Sequence, residues 1–191
     1  MMIRIDTNSI SFPNKEIRLF AVVRNESLKL EFWLSHYRKI GVKRFFIVDN
    51  ASTDATPDLL KNQPDVHLYW SAEDFQSSQS GRLWLAALMK DHGVGHWCII
   101  ADADELLAYP HCEKNNLEQL TGFLDAQGHD VLECILLDMY SDQPVCDTFY
   151  TAGEDLMSLC PWFDPNFVSI TGFVDHDDDR IQIPTWIGST R

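Results

Sequence analysis

The chain has 191 residues, 45% of them hydrophobic and 23% charged. That composition suits one folded domain and excludes a disordered or fibrous chain. Fifteen Lys and Arg against 29 Asp and Glu leave a net charge of −14, which argues against a nucleic-acid partner and against a surface held to anionic lipid.

No apolar run approaches the roughly 18 residues that a membrane span needs. The opening residues, MMIRIDTNSISFPNK, lack the apolar centre of an export signal, so a cytoplasmic location is expected. The five cysteines are odd in number and widely spaced, with no C-x-x-C, so reduced thiols are expected rather than a disulfide framework or a structural zinc site.

Residues 1–15 read as an N-terminal arm. Ile17–Val23 (IRLFAVV) is a continuous apolar run that stops at Arg24-Asn25-Glu26, and it predicts a buried strand. A helix is predicted over Ser27–Ile40, because Leu30, Trp33, Leu34 and Tyr37 recur at one-face spacing and Gly41 follows. A second strand, Arg44–Val48, runs into the polar turn Asp49–Asp54. Thr56-Pro57 then reads as a cap and first turn of a short helix.

Val66–Trp70 predicts a third strand. A helix is predicted over Gln79–His92, with Leu83, Ala86, Ala87 and Met89-Lys90 on or near its inner face. Trp97–Ala101 predicts a fourth strand leading into Asp102-Ala103-Asp104-Glu105. Asn116–Gln127 predicts a helix carrying Leu117, Leu120, Phe123 and Leu124, and Val131–Leu137 a fifth strand. Residues 140–191, with four of the eight prolines, read as an irregular extension of the same domain. Alternating helices and continuously apolar strands predict an α/β fold: an open, mostly parallel sheet with helices on both faces.

Ligands of such sheets bind at the carboxyl ends of the strands, near the point where strand order reverses. Three predicted strands end in polar residues: Arg24-Asn25-Glu26, Asp49-Asn50 and Asp102-x-Asp104-Glu105. Neighbouring carboxylates repel unless a cation lies between them, and Mg²⁺ or Mn²⁺ is held by one or two carboxylates plus substrate phosphates. With 20 aspartates about two D-x-D matches arise by chance, and Asp175-x-Asp177 and Asp177-x-Asp179 also match.

Asp102 and Asp104 stand out because an apolar strand precedes them. A metal site and a solvated turn both remain open readings of that pair. Asp49 and Asn50 fit either a base- or ribose-reading pair or an ordinary turn. Arg24 and Arg82 fit either ligand contacts or surface residues, and the Asp175–Asp179 run either a cation site or a solvated loop. The histidines lack metal-ligand spacing, and no G-x-S-x-G, Walker A or G-x-G-x-x-G motif is present.

Taken together, Arg24-Asn25-Glu26, Trp33, His36, Gly41, Asp49 to Thr56, and Trp97 with Asp102-Ala103-Asp104-Glu105 resemble glycosyltransferase family 2, of the GT-A fold. The resemblance covers about residues 16–110 well and 111–191 loosely. It implies one GT-A-like domain over 16–191, with a nucleotide-binding half at 16–110 and an acceptor-side half at 111–191.

It further implies an inverting, hexosyltransferase-type enzyme that moves a sugar from a nucleotide-diphosphate donor to a glycan or other hydroxyl acceptor. Asp49 would bind the base, Arg24, Glu26 and Asp54 would shape that pocket, and Arg82 would lie near the base or diphosphate. Asp102 and Asp104 would hold Mn²⁺ or Mg²⁺. The catalytic base is unassigned, with Asp138 and Asp155 as candidates. Trp186–Arg191 resembles the start of a later family segment, so a shortened chain is one expectation. The alternatives are a non-catalytic nucleotide-sugar-binding or interaction domain, and a sugar-phosphate nucleotidyltransferase, which would usually carry a glycine-rich loop that the stretch after Val23 lacks.

Overall fold

A computed structural model describes residues 2–10, 15–164, 169–176 and 179–186. In chain order the elements are β1 (Ile3–Arg4), β2 (Arg18–Val23), α1 (Leu30–Ile40), β3 (Arg44–Asp49), α2 (Thr56–Lys61), β4 (Val66–Trp70), α3 (Arg82–His92), β5 (Cys98–Ile100), α4 (Leu117–Ala126), the short α5 (Leu156–Leu159), β6 (Ser169–His176) and β7 (Asp179–Trp186). The sequence reading treats 16–191 as one domain. The contacts group the chain into two compact units, one of residues 1–133 with 150–155 and one of 134–149 with 156–191.

The first unit is built on a five-stranded sheet in the order β1-β4-β3-β2-β5. β2, β3, β4 and β5 are parallel, and β1 adds antiparallel to β4. Part of the expected arm is therefore an edge strand, fixed where the Asp6 carboxylate accepts the Leu68 N–H at 2.8 Å.

Between polar residues near their ends, β2, β3 and β4 carry apolar side chains on both faces, because both faces are covered. Leu19, Ala21, Val23, Phe45, Ile47, Val66 and Leu68 pack against α1, α2 and α4. Phe20, Phe46 and Val48 pack against Trp84 and Leu88 of α3. On α1 the stripe Leu30, Trp33, Leu34, Tyr37 and Ile40 is buried, and the helix stops at Gly41 in the left-handed conformation. α4 begins on a capping box between Asn116 and Gln119.

Three expectations fail. α3 starts at Arg82, because Gln79, Ser80 and Gly81 all have positive φ. Gly81 is required there: a Cβ would come within 2.8 Å of Val22. That close approach fixes the roll of α3, so Trp84 and Leu88 face the sheet while Leu83, Ala86, Ala87 and Lys90, expected on or near the inner face, are exposed. On α4, likewise, Leu117 and Leu124 are buried but Phe123 is exposed.

Val131–Leu137 forms no strand, and Val131 and Leu136 are each 69% exposed. That run crosses the boundary between the two units and gains no ladder partner among the described residues. In the second unit, β6 and β7 form an antiparallel pair, with Ser169 opposite Trp186. Asp177 and Asp178, within the run read as a cation site or a solvated loop, and residues 187–191 of the segment Trp186–Arg191 lie outside the described residues.

Candidate functional site

The strand order places the reversal between β2, which continues outward to β3 and β4, and β5, which returns to β2's other side. Every residue singled out near the carboxyl ends follows one of these strands. Their exits fall into two connected groups.

The first group interlocks the loops after β2 and β3. Asn25 adopts φ +59°, a conformation asparagine tolerates. Its N–H donates to Ser52 Oγ at 2.9 Å and its Oδ1 accepts the Thr53 N–H at 2.7 Å. The Glu26 N–H donates to Thr56 Oγ1 at 2.8 Å. Thr56 is thus the buried first residue of α2 rather than its cap.

The Asp54 carboxylate accepts the Ser27 N–H at 3.2 Å and the Thr56 N–H at 2.9 Å. Burial pushes its pKa up, but the bonds from Thr56 and Ser27 outweigh that and hold it at about 2. Asp54 therefore fastens the loops after β2 and β3 to each other. Asn50 is buried, and its Nδ2 donates to the Ser71 and Glu73 carbonyls, each at 3.0 Å, which ties in the loop after β4.

Asp49, the last residue of β3, is 1% exposed. Its two carboxylate oxygens meet the Ser52 N–H only at 3.4 and 3.3 Å, the long end of the hydrogen-bond range.

The second group surrounds the exit of β5. Ala101 and Ala103 are buried while Asp102 and Asp104 are exposed, so the chain presents both aspartates outward. Three side chains of α1 hold this loop by its backbone. Trp33 Nε1 donates to the Asp102 carbonyl at 2.8 Å. His36 Nε2 donates to the Leu107 carbonyl at 3.0 Å. The Tyr37 hydroxyl donates to the Glu105 carbonyl and accepts the Leu107 N–H, both at 3.2 Å. Glu105 in turn accepts the Asp102 N–H at 3.0 Å.

Burial, and then the charges of Glu105, Asp104 and Glu26, push the Asp102 carboxyl above its usual range. Glu26, whose N–H is bonded in the first group, also turns its carboxylate toward this acidic group, and Lys29 joins it. The Lys29 ammonium stands 3.0 Å from Glu26 Oε2 and 3.2 Å from Asp104 Oδ2.

Exposed, mutually repelling carboxylates are hard oxygen donors of the kind that suit Mg²⁺ or Mn²⁺. Among the described residues no group of three His, Cys, Asp or Glu side chains is arranged to hold a metal. An ion here would take one or two protein carboxylates and complete its shell from diphosphate and water.

The Arg24 side chain is exposed beside the first group. Arg82 is exposed at the first turn of α3, its Nε bonded to the Gln79 carbonyl at 3.2 Å. Asp155 lies close enough to His36 of α1 to act on its ring by charge, and Asp138 is exposed within the second unit. A cavity of about 350 Å³ lined by Glu31, Leu34, Arg38, Leu59 and Gln63 opens between α1 and α2, not at the strand exits. Among the described residues no helix is long and apolar enough to cross a membrane.

Lys29 and Tyr37 carried no functional weight in the sequence. The signal for Lys29 was its place three residues after Glu26, the spacing of a helix-start ion pair.

The fold and the acidic strand exits define the class: an open, mostly parallel α/β sheet with its polar residues gathered at the switch point. No family model matches the chain, and no curated protein does. Among solved structures it is similar to one described as the crystal structure of 4-diphosphocytidyl-2C-methyl-D-erythritol synthase. That match has 14% identity over 92% of this chain and 75% of the other, with a TM-score of 0.41, and a likeness at that level carries no argument.

Proposed function

We propose that the chain is a metal-dependent, inverting glycosyltransferase of the family 2, GT-A type, taking its sugar from a nucleotide-diphosphate donor and passing it to a glycan or other hydroxyl acceptor. One observation carries the reading: at the switch point, a buried carboxylate with weak partners (Asp49) ends one strand, and a pair of exposed carboxylates (Asp102 and Asp104) follows another.

In this reading Asp49 accepts hydrogen bonds from the base. Asn25, Asp54 and Asn50 hold the loops around it, and Arg24 and Arg82 offer positive charge toward the donor. Asp102 and Asp104 would hold Mn²⁺ or Mg²⁺, which when bound stabilises the negative charge that develops on the leaving diphosphate. Trp33, His36 and Tyr37 position that carboxylate pair through its backbone. Such a donor also reconciles an acidic protein with an acidic ligand, because the cation joins the two.

The test is a thermal-shift titration with UDP and GDP, with and without Mn²⁺. Metal-dependent stabilisation is expected. It should vanish in Asp102→Asn with Asp104→Asn while the nucleotide-free melt stays cooperative, and Asp49→Ala should weaken nucleotide binding with or without metal. If no nucleotide moves the wild-type melt under any metal condition, the donor site does not exist.

A further inference from the structure

Edge strand β1 and the residues around it form a strap along β4. Residues 2–10 are tied there by few bonds. The Ile5 N–H donates to the Leu68 carbonyl at 2.8 Å, the Asp6 carboxylate accepts the Leu68 N–H, and Asn8 Nδ2 donates to the Gln63 and Val66 carbonyls, each at 2.9 Å. The ladder itself pairs only Ile3 with Trp70 and Arg4 with Tyr69. No apolar side chain of the strap is buried: Ile3 is exposed, and Met2, Ile5 and Ile10 are half-buried. Yet His67 of β4, which Arg4 and Asp6 of the strap face, is fully buried.

His67 meets a guanidinium at each ring nitrogen. Its Nδ1 is 3.1 Å from Arg4 Nη2 and its Nε2 3.2 Å from Arg44 Nη1. A neutral imidazole has one lone pair, so it accepts from one of the two. An imidazolium accepts from neither and turns an N–H toward both. Asp6 Oδ1 faces Nδ1 at 3.7 Å and is already bonded to Arg4. Arg44 is held by Glu16 at 2.7 and 3.2 Å, on a strand paired along both sides. Arg18 and His92 share the Phe46 ring with His67, and His92 Nε2 is bonded to the hydroxyl of Tyr69, the ladder partner of Arg4. Burial pushes both histidines below their ordinary range; the charge of Asp6 opposes this at His67, and that of Asp91 at His92.

We propose that residues 2–10 are an acid-released strap: protonation of His67 sets its ring against Arg4 and Arg44, and the strap, held more weakly than β3, lifts from β4 and lets water reach the ring. A charged imidazole is costly where it is dry and ordinary where it is wet, so proton uptake and opening are one event. Closure is therefore strongest above about pH 6.5 and weakens as pH falls. His92 acts with the same sign, because the Arg4 charge reaches it too. Asp6 attracts the imidazolium but moves with Arg4 as a bonded pair of no net charge, so it does not hold the strap down. Opening leaves the Leu68 N–H and the Val66 and Leu68 carbonyls to water.

The experiment is amide hydrogen exchange read by nuclear magnetic resonance between pH 7 and 4.5, on the wild type and on His67→Asn. The Ile5 and Leu68 amides should exchange through a local opening, with less protection than the Phe46 and Ile47 amides of β3 at every pH. In the wild type their protection should fall about twentyfold from pH 7 to pH 5. In His67→Asn it should fall by less than about threefold, the share left to His92. The His67 ring carbons should titrate with the same midpoint as the amide shifts of Ile3 to Asp6.

Strap protection that stays constant between pH 7 and pH 5, or that falls as far in His67→Asn as in the wild type, overturns the proposal. Exchange of Ile5 and Leu68 with the same protection as β3 at every pH also overturns it, since the strap would then leave only when the whole sheet unfolds. Should His67→Asn fail to fold, the wild type decides alone. Coincident midpoints for the His67 ring and the strap amides support the release, and midpoints more than about one pH unit apart overturn it.

Discussion

The two edges of the parallel sheet use charge in opposite ways. Where the strands begin, Glu16 lies between Arg18 and Arg44, with its Oε1 2.7 Å from each guanidinium, and side-chain exposures there are 13% or less. Beside them His67 is fully buried, its Nε2 3.2 Å from Arg44 and its Nδ1 3.1 Å from Arg4, which itself pairs with Asp6 at 2.7 Å. Glu16 and Asp6 each face a guanidinium there. Where the strands end, Glu26, Asp102, Asp104 and Glu105 share one ammonium, and both aspartates lie open to water. Charge that is matched and dry holds a fold together. Charge left in surplus on an exposed edge weakens the fold locally and is the form a ligand site takes.

The contrast is broken most forcefully at the entry edge. Glu16→Ala removes the carboxylate that pairs with buried Arg18 and half-buried Arg44, a change that costs about 3–5 kcal/mol. At roughly 2–4 °C per kcal/mol for a chain of this size, the melting temperature should fall by about 10 °C or more. Asp102→Asn at the exit edge should leave the melting temperature unchanged or raise it by about 1–2 °C, because it removes a carboxylate that its neighbours repel. Thermal unfolding of the two variants side by side decides the matter. Equal losses would mean that the exit carboxylates are structural too.

The same contrast explains what could be read in advance. β2, β3 and β4 were legible because burial on both faces gives each an apolar run, and α1 because its stripe keeps strict spacing up to Gly41. The acidic exits were legible because charge follows an apolar strand at once. The entry network was not, since Glu16, Arg44, His67 and Asp6 meet only when β1, β2, β3 and β4 align, and no local pattern records that. The start of α3 was hidden by Gln79 and Ser80, polar residues that read as the opening of a helix but take left-handed conformations. Val131–Leu137 misled because strand-like composition does not supply a partner strand. The bonds of Asp54 to Ser27 and Thr56 were not legible, since they exist only in the folded loops.

The second prediction concerns pH at the entry edge. Burial pushes His67 from 6.5 down to about 4; the Asp6 charge opposes this, and Arg4 and Arg44 reinforce it. A histidine whose folded pKa lies below its unfolded value gives stability that is complete above about pH 6.5 and is lost as pH falls toward 4. Over that window the loss is on the order of 3 kcal/mol. His36 and His92 are lowered as well, chiefly by burial, and act with the same sign. The Asp6 carboxyl, pushed up by burial but lowered further by Arg4, Leu68 and Asn8, adds its loss only below its usual range. Urea unfolding at pH 7, 6, 5 and 4.5 should therefore show stability falling steadily in the wild type and less steeply in His67→Asn. The same slope in both would mean that His67 does not carry the effect.

The smallest effect is expected where the helix meets the acidic loop, and it sharpens the contrast from the other side. Tyr37→Phe keeps the ring that stands edge-on to Trp33 at 5.1 Å and to His36 at 5.2 Å, so the packing of α1 is preserved. What goes is the hydroxyl that joins the Glu105 carbonyl to the Leu107 N–H. Both bonds are long, and Trp33 and His36 still hold the loop at Asp102 and Leu107. The stability loss should be about 1 kcal/mol, and UDP affinity in Mn²⁺ should fall by about two- to threefold. UDP binding without metal should not change, because the Asp49 side of the crevice is fastened by Asn25, Asn50 and Asp54 and not by Tyr37. Calorimetry with and without Mn²⁺ separates the two sides. A variant that loses metal-free affinity as much as metal-dependent affinity would show that the two groups of strand-exit residues act as one rigid body, and the division between a fastened half and a charged half would have to be given up.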